Sequence, residues 1–174
     1  MQGTVDSEAE GIIRGIHEAF VDVPRGCITL HEAEVIDEYG SDDARVDARK
    51  LDTDGRWEDV PDSHVEECTT ALCHVDPESW RYYIAPYMVW SLRHLRTNDS
   101  IVSDFTIYSF DPSSDDPRLY AYSMDRFRLL DEKQSAIVCR FLRYMASKGD
   151  YADERVAHEA LQKYWSTFCP ADIR

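Results

Sequence analysis

The sequence predicts a mainly α fold, a compact single-domain helical bundle over residues 1–174 with at most one small β-hairpin at about 104–124. Apolar residues recur at three- and four-residue intervals through most of the chain, the spacing of one helix face. Helix-start signatures precede these runs at Thr29-Leu30-His31-Glu32, Ser63-His64-Val65-Glu66 and Asp131-Glu132-Lys133-Gln134, each pairing a capping side chain with a carboxylate or amide that reaches back. The 174 residues are 43% hydrophobic, enough for one core and too apolar for a disordered chain.

The elements follow in order. Ser7, Glu8 and Glu10 open a helix with Ile12, Ile13, Ile16, Ala19 and Phe20 on one stripe, ended by Pro24 and Gly26. Leu30, Ala33, Ile36 and Tyr39 share the next face, with Gly40 as the residue beyond the C-cap. Ser41 caps a helix from Asp42 to Leu51, with Ala44, Ala48 and Leu51 inward, and a turn-rich loop runs to Pro61. Ser63 starts a helix to about Cys73. Asp76-Pro77 starts a short helix that Pro86 should break, because its ring clashes one turn back. A new helix then carries Met88, Leu92 and Leu95. Alternation at Phe105, Ile107 and Ser109, and at Tyr120, Tyr122 and Met124, predicts two strands joined by Asp111–Pro117. The helix after Asp131 buries Ile137, Val138, Phe141, Leu142 and Met145; a last one carries Val156, Ala160, Leu161, Tyr164 and Phe168, closed by Pro170. About seven helices result.

Charge is unevenly placed. The net charge is -15, and residues 1–60 hold sixteen acids against six Lys and Arg, whereas residues 111–174 hold eleven against ten. Such a field attracts basic partners and disfavours nucleic acid and anionic membrane. No apolar run approaches the ~18 residues of a membrane span, and the N-terminus lacks a signal-peptide pattern, so the expected location is cytoplasmic. Five cysteines without framework spacing (Cys27, Cys68, Cys73, Cys139, Cys169) predict reduced thiols, mostly small buried hydrophobes.

Motif chemistry is sparse. His31-Glu32-Ala33-Glu34-Val35 lacks the second His of a zincin helix. Asp52-Thr53-Asp54-Gly55 resembles the start of a calcium loop, but aligning Gly55 puts Lys50 and Pro61 at ligand positions, so an Asx-rich turn is expected. His64 and Cys68 lie one helical turn apart, for which a buried thiol beside a solvated His is the plainer reading. No phosphate-binding, dinucleotide or nucleophile-elbow motif occurs. No cofactor or metal site is expected. Trp80 to Trp90 reads as the central core element, with some of Tyr82, Tyr87 and Trp90 left at the surface.

Ile28-Thr29-Leu30-His31-Glu32-Ala33 through Asp37-Glu38-Tyr39-Gly40, then Trp57-Glu58-Asp59-Val60-Pro61, Arg81-Tyr82-Tyr83-Ile84-Ala85-Pro86-Tyr87-Met88, and Leu130 to Met145, resemble a family of small, acidic, uncharacterised bacterial proteins. The resemblance spans roughly residues 18–145, with Ala85 where that family usually has Leu. It brings no catalytic residues. Some comparable small acidic families lie beside secreted bacterial toxins and act as their cytoplasmic inhibitors, which is an analogy only.

The leading functional expectation is a non-enzymatic cytoplasmic protein-binding domain, most specifically an immunity-type inhibitor of a basic toxin. Glu34, Asp37, Glu38, Asp42 and Asp43 form the acidic side of its binding surface, with Tyr39 and Trp57 as anchors. Two alternatives are an enzyme using His31 or His64 with nearby carboxylates, and a DNA mimic with rows of acids spaced like phosphates.

Overall fold

The computed structural model describes residues 5–95, 101–112, 115–149 and 152–169. Among these are nine α-helices, three short 3₁₀ turns and no strand. Most helices begin where a short polar side chain takes an orphan amide. Asp6 caps α1 (Ser7–Ala19) and Ser41 caps α3 (Asp42–Arg49). Thr29 precedes α2 (Leu30–Asp37), where Glu32 reaches back to the Thr29 N–H. Pro61 leads into α4 (Asp62–Glu67). Asp76 caps α5 (Pro77–His94), and Asp116 caps α7 (Pro117–Phe127), each followed by Pro in the first turn. Between them lies α6 (Val102–Tyr108). Asp131 and Gln134 close the capping box of α8 (Glu132–Ala146) at 2.8 and 3.2 Å. Asp153 caps α9 (Glu154–Lys163), and a 3₁₀ turn at Trp165–Phe168 follows.

The helix α5 is the axis of the molecule. It packs against α1, α4, α6 and α7, while α8 packs against α1 and α9. Trp80, Phe110, Phe127, Phe141 and Trp165 are all buried around it. Trp80, Phe127 and Trp165 each meet a neighbouring ring of this set at tilted or edge-on angles, geometry that suits the ring quadrupoles. The Trp165 indole donates to Phe110 O at 2.8 Å. At both ends α1 is tied to α8. The Tyr144 hydroxyl donates to Asp6 at 2.8 Å, and the Gln134 amide donates to Ala19 O at 3.0 Å. Buried Arg126 anchors α7, donating to Cys73 O and Val75 O at 3.3 and 3.2 Å.

Several expectations are corrected. The predicted hairpin is two helices, α6 and α7, apart from residues 113 and 114, which lie outside the described residues. Val102, Ser103, Thr106, Ile107 and Phe110 are the buried positions there, a helical spacing that a short window of alternating large residues hides. Thr106 and Ser123 bond back to the carbonyls of Val102 and Leu119, as hydroxyls inside helices do.

Pro86 does not break α5. Thirteen of its eighteen residues are buried. Burial on almost every face outweighs the ~3 kcal/mol a mid-helix proline costs. For the same reason Tyr82, Tyr87 and Trp90 are all buried and leave no aromatic surface. The Ser63 capping box does not form, since α4 starts two residues earlier, at Asp62 with Pro61 in the capping position, and leaves Ser63 inside its first turn. In α3 only Ala48 is buried; Val46 and Leu51 are 50% and 57% exposed. Cys139 and Cys169 are joined as a disulfide with Cα atoms 5.5 Å apart, which corrects the expectation of reduced thiols at those two positions; Cys27, Cys68 and Cys73 are free thiols, and Cys68, Cys139 and Cys169 are buried while Cys27 and Cys73 are exposed.

Candidate functional site

Two polar regions sit side by side at the α2 end of the molecule. The first is the acidic cap where α2 turns into α3. There α2 ends in a Schellman motif: Gly40 N–H bonds Val35 O at 2.8 Å and Tyr39 N–H bonds Ile36 O at 3.1 Å. The left-handed position of that motif belongs to Tyr39, at φ 56°, rather than to Gly40. A Cβ at Gly40 would strike Val35, which explains the glycine. Tyr39 is 95% exposed. A bulky side chain at positive φ costs roughly 1–2 kcal/mol, yet here it buries nothing in the chain itself.

The predicted acids divide into two sets. Glu38, Asp42 and Asp43 are exposed beside Tyr39. Glu34 and Asp37 are engaged within the fold. Thr70 donates to Glu34 at 3.2 Å, and Asp37 meets His74 Nε2 at 3.1 Å. Trp57, expected as an anchor, is in the core; it is 3% exposed and its indole donates to Phe20 O at 2.9 Å. Glu32 is fully buried. It takes Arg49 in two bonds of 2.6 and 2.8 Å and Arg45 at 3.0 Å. This ion pair, more than apolar contact, docks α3 on α2.

The two glutamates of α2 therefore titrate in opposite directions. Burial works to raise the Glu32 pKa, but hydrogen bonds and charge from Arg49 and Arg45 overcome it and hold the carboxyl below the ordinary glutamate range. Burial raises Glu34, helped by Asp37 and only partly opposed by Thr70.

The second region centres on Asp52, whose side chain is fully buried. Its Oδ2 accepts the His31 backbone N–H at 2.9 Å, one of the orphan amides of α2. Its Oδ1 lies 2.7 Å from His31 Nδ1 and 3.4 Å from His64 Nδ1. The two imidazoles meet edge-on, with centroids 4.6 Å apart. Glu67 Oε2 stands 3.5 Å from His31 Nε2. His64 Nδ1 is buried and without a hydrogen-bond partner.

The loop that presents Asp52 is held from behind. Arg25 donates to Asp52 O and Asp54 O, each at 3.0 Å, and the Tyr82 hydroxyl donates to buried Asp54 at 2.8 Å. Gly26 lets the preceding strand of chain pass against the start of α5, where a Cβ would meet the Ser79 amide and hydroxyl. Buried Cys68 lies nearby, its thiol pushed up by burial and then by Glu34, Asp52 and Glu67.

Sequence reasoning named His31 and His64 but missed Asp52, which joins them across 21 residues on one side. It sits in a segment with no periodicity to read. The Asx-rich turn was the only local sign, and it says nothing about burial. Elsewhere, a groove of about 840 Å³ between α8, α9 and the last turn is lined by Arg143, His158, Leu161 and Cys169 among others, and shares no residue with either region.

A family model matches residues 8–168, and the chain belongs to that family, a family of unknown function (DUF6714). Neither the curated proteins nor the solved structures contain a match. Among the described residues no helix is long and apolar enough to cross a membrane.

Proposed function

We propose that this member of the family is a protein-binding domain whose acidic cap docks a basic partner. Its most specific form is an immunity-type inhibitor that occludes a basic toxin domain. The observation that carries the reading is Tyr39: an exposed aromatic, held in a left-handed turn beside exposed Glu38, Asp42 and Asp43. Aromatic anchors supply binding energy out of proportion to their number, and a collar of one charge speeds the encounter. Exposed Val46 on α3 and Leu51 just past its end add apolar area nearby. The reading carries a cytoplasmic location, a reducing compartment, and so requires the buried Cys139–Cys169 bond to persist there.

The test uses the chain as bait in a lysate of its native host, followed by kinetics with the purified partner. Glu38→Lys, Asp42→Lys and Asp43→Lys together are expected to slow association roughly tenfold at low salt and to flatten its salt dependence. A partner whose association rate ignores the triple reversal removes the acidic cap from the interface.

One observation favours a second reading, chemistry at a site assembled in space. It is the meeting of His31 and His64 on the single carboxylate of Asp52.

A further inference from the structure

We infer that His31, Asp52 and His64 form a binding site for one divalent transition-metal ion of the zinc class. The three side chains offer two imidazole nitrogens and one carboxylate oxygen, all within 4.8 Å of one another. Ligand atoms at zinc's usual bond lengths of ~2.0–2.2 Å stand roughly 3.3 Å apart in a tetrahedron. The observed separations bracket that value, at 2.7 Å from Asp52 Oδ1 to His31 Nδ1 and 3.4 Å to His64 Nδ1. Seating an ion would open the shorter of these by about 0.6 Å, from 2.7 Å toward the tetrahedral value.

A purely structural role for Asp52 accounts for His31 but not for His64. Asp52 satisfies an orphan amide of α2 and braces the His31 ring, and that would be complete in itself. His64 Nδ1 is buried 3.4 Å from the same oxygen, within ion-pair reach when the ring is protonated, yet makes no hydrogen bond to it. A buried nitrogen left without a hydrogen bond costs about 1–3 kcal/mol. An ion among the three atoms would take up that lone pair.

The surroundings match what metal-bound histidines need. Metal-binding imidazoles usually donate their other nitrogen to a carboxylate, and Glu67 faces His31 Nε2. Asp52 Oδ2 remains fixed by the His31 amide, which orients the Oδ1 that would bind. The Arg25 and Tyr82 bonds hold the loop behind it. His31 and His64 side chains are 15% and 21% exposed, so an edge of the site opens to solvent and leaves room for a fourth, water ligand. Two imidazoles and one carboxylate suit zinc, iron or nickel and do not suit magnesium or calcium. The site shares no residue with the acidic cap, so it stands or falls apart from the partner-binding reading.

The experiment titrates Zn²⁺ into the purified, chelator-treated full chain by calorimetry, with Co²⁺ absorption as a second readout of coordination. The expected result is one equivalent bound, a visible Co²⁺ spectrum of low coordination number, and a melting temperature raised by saturating Zn²⁺. His64→Ala removes no hydrogen bond of its Nδ1, so the variant should fold; it is expected to weaken Zn²⁺ by roughly tenfold or more and to abolish the thermal shift. His64→Gln, which keeps most of the volume, serves if circular dichroism shows that His64→Ala is misfolded. Glu38→Gln with Asp43→Asn, on the acidic cap, should change none of these readouts. No binding, or equal binding by wild type and the His64 variant, overturns the assignment and leaves an adventitious ion only.

Discussion

Around α3 only Ala48 is buried, and the helix stays docked because Arg45 and Arg49 grip the buried Glu32. Around α5, thirteen of eighteen residues are buried, and rings from α5, α7 and the segments after α6 and α9 fill the space beside it. The two regions place helices equally well by different physics. The aromatic centre draws on burial, which is non-directional and barely responds to pH or salt. The α2–α3 end draws on a few charged contacts, which fail together if one member is neutralised. Rigidity of the acidic cap is thus conditional, and that of the core is not.

Removing a ring from the core is the largest expected change. Trp165→Ala should cost about 3–5 kcal/mol and lower the urea midpoint of the whole chain, by nearly the same amount at mildly acid and at neutral pH. A loss confined to the last turn would show that the aromatic centre is less cooperative than its packing implies.

Glu32→Ala comes next. Breaking a buried ion pair costs ~3–5 kcal/mol, and about 2–3 kcal/mol is expected here because Arg45 and Arg49 remain 34% and 49% exposed. Hydrogen exchange should quicken across α3 while α5 and α8 stay protected. Acid should imitate the substitution. Glu32 is depressed in the folded chain, so its contribution is present above the ordinary glutamate value of ~4.3 and fades as pH falls through its lower folded value. Glu34 is raised and runs the other way: its ionisation costs stability as pH rises above ~4.3. Protection of α3 that is flat from neutral pH down to where the chain unfolds globally would break the contrast between the two regions.

Tyr39→Gly is the smallest change and has the opposite sign. Glycine holds φ 56° without strain, so a gain of about 1 kcal/mol is expected by chemical denaturation. The same variant should bind the basic partner more weakly. A gain in stability with binding untouched would leave Tyr39 as a structural accident.

Legibility in the sequence follows the same division. Helix starts were readable where one side chain caps one amide, as at Ser41, Asp76 and Asp131, because that chemistry is local. The Asp116-Pro117 start has the same signature as Asp76-Pro77, but the alternation of Tyr120 and Tyr122 masked it. Pro86 reads as a break because its strain is local, whereas the burial that offsets it comes from the rest of the fold. Trp57 misled in the other direction, a ring in a turn-rich loop that folds inward to Phe20. The acidic residues were visible as charges, yet which of them are engaged by distant residues depended on partners such as Thr70 and His74, while Asp42 pairs locally with Arg45. Asp52 was unreadable as a site residue for the same reason, since its role is made by residues 21 positions before it and by His64 beyond it.

The ties between α1 and α8 have a consequence for synthesis. Gln134 reaches the last carbonyl of α1 across 115 residues, and Tyr144 reaches its cap across 138. At roughly 5–20 residues per second, α1 leaves the ribosome about 6–25 seconds before the helix that completes it. During that interval the apolar stripe of Ile12, Ile16 and Phe20 has only the earlier-made helices to lean on. Helix α1 is therefore finished long after it is made, and its waiting time is a window for chaperones to act.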